Sequence, residues 1–261
     1  MISFIIPVYN KGKILAKALF LLTQELSRQG LRDYEIILVD DGSTDTSLKS
    51  ALNFRNAYPV RKKIQILHYS QNFGKGFALQ TGFTRSIGDP VVFLDGDLDI
   101  RPRQVVNKLR QFLHNSSDML IASKYHPASR IYYPWNRVFY SLILKVVIRV
   151  LFHLNVSDTQ VGLKIFRRNV LNQVFPRLVI KRFATDLELL VVAQIMGFSD
   201  ITEVPVVIHH SPANQSTIDI RAVKNFLQDV AAIYYRKNIL KFYTHENTDK
   251  ALAFKPLLQS L

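Results

Sequence analysis

The stretch Pro90 to Asp99, PVVFLDGDLD, concentrates more chemistry than any other part of this chain. A short apolar run, Val91 to Leu94, leads straight into Asp95-Gly96-Asp97, with Asp99 two residues further on. Two carboxylates separated by one small residue, at the carboxyl end of a buried strand, sit where open α/β sheets bind ligands, and their oxygens suit a hard divalent cation. Such a cation suits a diphosphate. Asp and Gly also form strand-ending turns, so the motif taken alone leaves a cation site and a plain turn equally open.

The elements that must position these groups come before and after them. Ile2 to Asn10 is a near-continuous apolar strand ending in Pro7-Val8-Tyr9-Asn10, and residues 14–27 repeat Ile14, Leu15, Ala18, Leu19 and Leu22 at helical spacing. A second strand, Tyr34 to Val39, stops at Asp40-Asp41-Gly42-Ser43-Thr44-Asp45; a third, Ile64 to Tyr69, leads to Asn72-Phe73-Gly74-Lys75-Gly76 and a helix over 77–86. Fully apolar strands separated by helical patterns predict a mainly parallel central sheet with helices on both faces. Three carboxyl ends then carry Tyr9-Asn10, Asp40-Asp41 and Asp95-Asp97 to one edge. That convergence exceeds what turn chemistry requires. Gly74-Lys75-Gly76 before a helix offers backbone donors and a cation to a phosphate, although a tight turn is the preferred reading of Lys75.

Composition narrows the partners. The 261 residues are 48% hydrophobic, enough for one large α/β domain, without internal repeats. The absence of cysteine excludes disulfides and thiolate metal sites and agrees with a reducing compartment. Met1 to Ile5 runs directly into a core strand without a basic leader, so no signal peptide is expected. Thirty-four Lys and Arg against 20 Asp and Glu give a net charge of +14, which points to an anionic partner. With no zinc spacing, Arg-rich tail or RNA-binding motif, nucleic acid is not the expected one.

The segments IIPVYN (5–10), EIILVDDGSTDTS (35–47), NFGKGFALQTG (72–82) and FLDGDLD (93–99) together resemble the family 2 glycosyltransferases, which carry the nucleotide-diphospho-sugar transferase fold called GT-A. SDTQVGLKIFRR (157–168), FATDLELL (183–190) and ITEVPV (201–206) are similar to the branch of polyprenyl-phosphate sugar transferases that includes the dolichyl-phosphate mannose and glucose synthases. The resemblance implies that Asp41 contacts the nucleobase, that Pro7, Val8 and Tyr9 line the base and ribose pocket, and that Asp95, Gly96 and Asp97 take the sugar nucleotide and its metal. Asp99 stands where the family commonly has Gln, and Lys11 where many members have Glu. An added anionic ligand at Asp99 is compatible with Mg²⁺ or Mn²⁺. The resemblance further implies that Lys124, Arg137 and Ser141 bind the acceptor phosphate, with Asp97, Lys124 and Arg137 carrying catalysis. An acceptor phosphate is already anionic, so the cations position it and no general base is needed. Asp158 and Asp186 are then expected to organise Arg and Lys side chains; were the acceptor a sugar hydroxyl, Asp186 is the candidate base. Arg167 and Arg168 either join the cationic cluster or end a strand in solvent.

Between Trp135 and Leu154 the polar positions Arg137, Ser141, Lys145, Arg149 and His153 recur every four residues, a narrow stripe on an otherwise apolar helix. Lys145 and Arg149 interrupt it too early for a membrane span of ~20 apolar residues. A helix lying in the bilayer interface is the favoured reading, with a core helix or subunit contact as the alternative. Residues 218–243 read as an amphipathic helix docked on the catalytic domain. The expected organisation is a catalytic domain over 1–217, including the 135–154 helix, and a helical appendage over 218–261. The expected activity is inverting transfer of a hexose, from a donor of the GDP-mannose or UDP-glucose type, to a polyprenyl phosphate on the cytoplasmic face of a membrane, with a membrane-protein partner or a homo-oligomer both compatible. The rival functions are extension of a glycan hydroxyl, which shares every donor motif, and noncatalytic basic binding, which does not need Asp95 and Asp97 together.

Overall fold

A computed structural model describes residues 1–58, 63–97, 99–132, 145–180, 182, 184–209, 220–244 and 259–260. The core is an eight-stranded sheet, and its first half is built from β1 (Ile2–Val8), β2 (Tyr34–Asp41), β3 (Ile64–Tyr69) and β4 (Val91–Phe93), in the spatial order β3-β2-β1-β4, all parallel. α1 (Gly12–Arg28), α2 (Ser47–Ala57) and α3 (Lys75–Arg85) make the crossovers. Strand alternation assigns the faces: Ile36 and Leu38 join α1's Leu15, Leu19, Leu22 and Leu26 in one cluster, while Ile37 and Val39 pack with Ala78 of α3 in another.

The second half changes direction. After α4 (Pro102–His114) come β5 (Met119–Ser123), β6 (Arg130–Tyr132), a helical segment over 145–152 (α5), and β7 (Lys164–Phe166), which lies antiparallel between β4 and β5. α6 (Arg168–Val174), α7 (Thr185–Ile195), β8 (Ile201–Pro205), β9 (Val207–His209) and α8 (Ile220–Asn238) follow, with β8 parallel to β5 at the sheet edge and β9 paired to β6. β10 (Gln259–Ser260) returns antiparallel to β3. The mainly parallel, two-faced sheet expected from the sequence is present.

Because β7 runs backwards, its first residue, Lys164, pairs with Phe93 at the carboxyl end of β4, and its last, Phe166, pairs with Val91 at the opposite end. Arg167 and Arg168 therefore fall at the far edge. Arg167 donates to Asn115 O at 2.7 Å, and Arg168 donates to Ser86 O at 2.5 Å and Gly88 O at 3.1 Å. They tie loops together and are remote from the acidic edge.

The 135–154 helix is described only from Lys145 onward, so Arg137 and Ser141 lie outside the described residues. Its apolar surface is divided. Ile148 and Phe152 are buried in the core, whereas Val146 and Val150 are 60% and 65% exposed. α8 docks through Val230 and Ile233, but Leu227 and Tyr234, which helical spacing groups with them, face outward. Among the described residues no helix is long and apolar enough to cross a membrane.

Close packing of α3 on the sheet generates a stability prediction. A Cβ on Gly82 would lie 2.4 Å from Ile5 Cγ2 and 3.2 Å from Val39 Cγ2. Gly82→Ala is expected to destabilise the fold by ~1 to 3 kcal/mol, read as a lower urea midpoint with an unchanged slope.

Candidate active site

The carboxyl ends of the parallel strands open onto a cleft of about 650 Å³, lined on one side by Pro7, Val8, Tyr9, Asp41 and Asn72 and on the other by Lys75, Asp95, Gly96, Asp97, Gln160 and Arg182. Its size and place are those of a small-ligand site in an open α/β sheet. Tyr9 stands 46% exposed at the end of β1. Asp41 is buried and builds the floor, accepting hydrogen bonds from Phe73 N at 2.8 Å and Gly74 N at 2.9 Å. Burial pushes its carboxyl above the usual range, against those backbone donors. Gly42 makes this closure possible: its φ is +66° and a Cβ would meet the Asn72 nitrogen at 2.6 Å.

Asp95, Asp97 and Asp99 line one small cavity beyond β4, together with Lys124 and Gln160. The sequence motif thus converges in space. Lys75 Nζ lies 2.8 Å from Asp95 Oδ1 and Lys11 Nζ 2.9 Å from Asp97 Oδ2. Gly162 is pressed against Asp95, since a Cβ there would fall 2.2 Å from its Oδ2. The donor set is all carboxylate, the chemistry of Mg²⁺ or Mn²⁺. Among the described residues no three acidic or histidine side chains are grouped closely enough to hold a metal ion, so Asp95, Asp97 and Asp99 share a cavity without forming a ready three-ligand site.

Behind Asp95 runs a buried chain of alternating charge. Lys75 Nζ also contacts Asp186 Oδ2 at 3.2 Å, and Asp186 Oδ1 accepts from Lys164 Nζ at 2.7 Å. Lys164, 1% exposed, donates in addition to Val161 O at 2.6 Å. Burial alone would raise the Asp186 carboxyl, but Lys164 and then Lys75 hold it below its ordinary value. Burial opposes the charge on Lys75, yet Asp186 and Asp95 hold its pKa above normal. Asp186 is therefore held as a carboxylate with a lysine nitrogen on each oxygen, although burial lowers the Lys164 pKa against the pull of Asp186.

A second cationic corner adjoins the cleft. Asp158, buried, accepts from Lys124 N at 2.9 Å and Gln160 N at 3.0 Å, and its Oδ2 lies 3.7 Å from Lys124 Nζ. Glu203 on β8 supports the same loop from below, accepting from Ser157 N at 2.5 Å and Asp158 N at 3.3 Å. Lys145 joins Lys124 in lining this corner, its Nζ 4.3 Å over the Tyr125 ring. Glu188 is a structural group: its Oε2 accepts from Val179 N at 3.0 Å and Ile180 N at 2.8 Å, and its Oε1 from Tyr243 Oη at 2.7 Å.

Residues 3–175 match the family described as Glycosyl transferase family 2. The chain belongs to that family. Among similar proteins, the dolichyl-phosphate beta-glucosyltransferase ALG5C of Trichomonas vaginalis is 27% identical over 249 residues, covering 91% of this chain and 72% of that protein. The human dolichyl-phosphate beta-glucosyltransferase is 29% identical over 209 residues, covering 74% of this chain and 63% of its own length. In structure the chain is similar to glucosyl-3-phosphoglycerate synthase from Mycobacterium tuberculosis bound to Mn²⁺, UDP-glucose and phosphoglyceric acid, with a TM-score of 0.65 at 18% identity over 90% of this chain and 78% of that one. The fold is GT-A, and this family 2 member is a glycosyltransferase.

Sequence reasoning assembled Pro7, Val8, Tyr9, Asp41, Asp95, Gly96, Asp97, Asp99 and Lys124 at one edge, as the structure does. It took Lys75 for a turn residue and Lys145 for part of a stripe facing lipid headgroups, and it passed over Lys164 and Gln160. The usable signal was Lys164 itself, since a lysine inside the apolar run VGLKIF requires a buried anion. Removing that anion's partner is expected to be severe: Lys164→Met should cost ~3 to 5 kcal/mol by leaving Asp186 under-compensated, measured by chemical denaturation. The Asp186 contribution should be complete above the ordinary Asp value of 3.8 and disappear as the pH falls through its lowered folded value.

Proposed function

We propose that this glycosyltransferase moves glucose, with inversion, from UDP-glucose to a polyprenyl phosphate of the dolichyl type at a membrane surface. The observation that carries this reading is the state of Asp186. A hydroxyl acceptor needs a carboxylate free to take its proton, and Asp186 has both oxygens committed to Lys75 and Lys164 with its pKa held down. Asp158 is likewise occupied by Lys124 and backbone donors. An acceptor that arrives as a phosphate anion needs no base, only cations to bring it to the donor. Lys124 and Lys145 line the corner where it would sit, and Arg137 and Ser141 complete the proposed set. The names of the dolichyl-phosphate beta-glucosyltransferase relatives and the UDP-glucose in the solved structure supply the choice of sugar, nucleotide and lipid over a GDP-mannose donor.

In this mechanism Pro7, Val8, Tyr9 and Asp41 hold the nucleoside, and Lys75 and Lys11 balance the carboxylates that face the diphosphate. Asp97, with Asp95 and Asp99 beside it, would hold a divalent cation, Mg²⁺ or Mn²⁺, which when bound would supply charge stabilisation to the departing diphosphate. Lys124 and Lys145 orient the acceptor oxygen and offset the repulsion between two phosphorylated substrates. Residues 1–217 form the catalytic domain and 218–261 its appendage. Exposed Val146 and Val150, flanked by Lys145 and Arg149, form the described part of the peripheral contact with the cytoplasmic leaflet.

Incubation with radiolabelled UDP-glucose and polyprenyl phosphate should carry label into the organic phase. Asp97→Ala, or excess chelator with the wild type, should reduce transfer by at least about a hundredfold with the fold intact. Label that enters only water-soluble glycans, or turnover unaffected by either treatment, rejects the reading. The membrane contact has its own test. Val146→Asp with Val150→Asp should weaken sedimentation with anionic liposomes by roughly tenfold or more without unfolding the protein, because both side chains already face outward. Added salt should weaken wild-type binding as Lys145 and Arg149 are screened. Undiminished binding by the double variant excludes this surface.

A further inference from the structure

Gln160 is the residue that lines all three cavities at the acidic edge: the nucleotide cleft with Asp95 and Lys75, the carboxylate cavity with Asp97 and Asp99, and the cationic corner with Lys124 and Lys145. Its backbone is fixed, since Gln160 N donates to Asp158 Oδ1 at 3.0 Å, and two residues later Gly162 abuts Asp95. Its side chain is not satisfied. The amide nitrogen Nε2 is buried and has no hydrogen-bond partner among the described residues, an arrangement that native interiors seldom leave without a role. That donor belongs to a residue that lines each of these cavities.

The position and the chemistry together select a ligand. The new bond in the proposed reaction joins the hexose to the acceptor phosphate, so a group shared by the donor cleft and the acceptor corner borders the sugar. Phosphate is served there by two ammonium groups, Lys124 and Lys145. A neutral amide, with two N–H donors and a carbonyl acceptor, matches a sugar hydroxyl, which also donates and accepts. Neutrality has a second use. Glycosyl transfer develops positive charge on the sugar ring, and a third ammonium at this point would oppose it.

We infer that Gln160 is a sugar-binding residue that hydrogen-bonds a hydroxyl of the hexose being transferred and so contributes to the choice of sugar. The inference rests on the proposed nucleotide-sugar donor, and its test does not need the acceptor. Calorimetric titration of the full chain with Mn²⁺ compares UDP-glucose with UDP, for wild type, Gln160→Met and Gln160→Glu. Where the wild type binds GDP-mannose in place of UDP-glucose, GDP-mannose and GDP are compared. Gln160→Met should weaken the nucleotide sugar by about five- to tenfold, the scale of one neutral hydrogen bond, while the nucleotide diphosphate stays within about twofold. Among monodeoxy donors, the one lacking the contacted hydroxyl should lose that factor with the wild type and lose nothing further with Gln160→Met. Equal weakening of sugar nucleotide and nucleotide diphosphate overturns the inference and makes Gln160 a shaper of the cleft. Unchanged donor binding with a raised KM for polyprenyl phosphate overturns it in favour of the acceptor. A wild type that shows the expected binding difference yet transfers nothing to lipid phosphate leaves Gln160 in place and removes the acceptor reading instead.

Discussion

Carboxylates crowded at one sheet edge repel one another, and the architecture of this glycosyltransferase is organised around balancing them. Asp95 and Asp97 stand together at that edge, and each is matched with an ammonium, Lys75 and Lys11. Lys75 is in turn shared with Asp186, and Asp186 with Lys164 inside the sheet. The alternation anchors exposed charges to buried ones. Its last member is held by a backbone carbonyl, Val161 O, which places the balance of the site on the β7 strand and the loop before it.

The same economy explains the glycines. A Cβ on Gly76 would collide with Thr185 at the start of α7, and one on Gly162 with Asp95. Both stand where charged side chains from different elements must approach within ion-pair distance. α7 brings Asp186 to Lys75 only because Gly76, the second residue of α3, lets the two helices touch. Glu188, two residues further along α7, fastens the 179–180 backbone and Tyr243, so the loop carrying Arg182 to the cleft and the segment after α8 share one buried carboxylate.

Much of this was legible in the sequence because apolar strands that end in polar residues announce both the sheet and its functional edge. Asp41, Asp95 and Asp97 could be read from that pattern, and Lys124 from resemblance. The direction of β7 could not, since three residues, Lys164 to Phe166, carry the same apolar signal whichever way they run. With the direction hidden, the two ends of the strand were indistinguishable. Arg167 and Arg168 were consequently admissible as phosphate ligands, and Lys164 went unnoticed at the end that matters. Helical spacing likewise showed that the 145–152 segment has an apolar surface, but not that Ile148 and Phe152 turn one part of it inward while Val146 and Val150 turn outward.

The reversed strand also marks where the sheet changes direction. Across β4 the parallel half is tied into a continuous register with β1, β2 and β3, and any shift there displaces Asp41 and Asp95 together. Beyond β7, the half containing β5 and β8 carries Lys124 and the loop under Asp158, and it meets the first half through a strand of three residues. One core nevertheless runs through both halves. The strand order therefore brings Asp95 from the parallel half and Lys124 from the other into one cavity, so the two sides of the edge come from segments far apart in the chain.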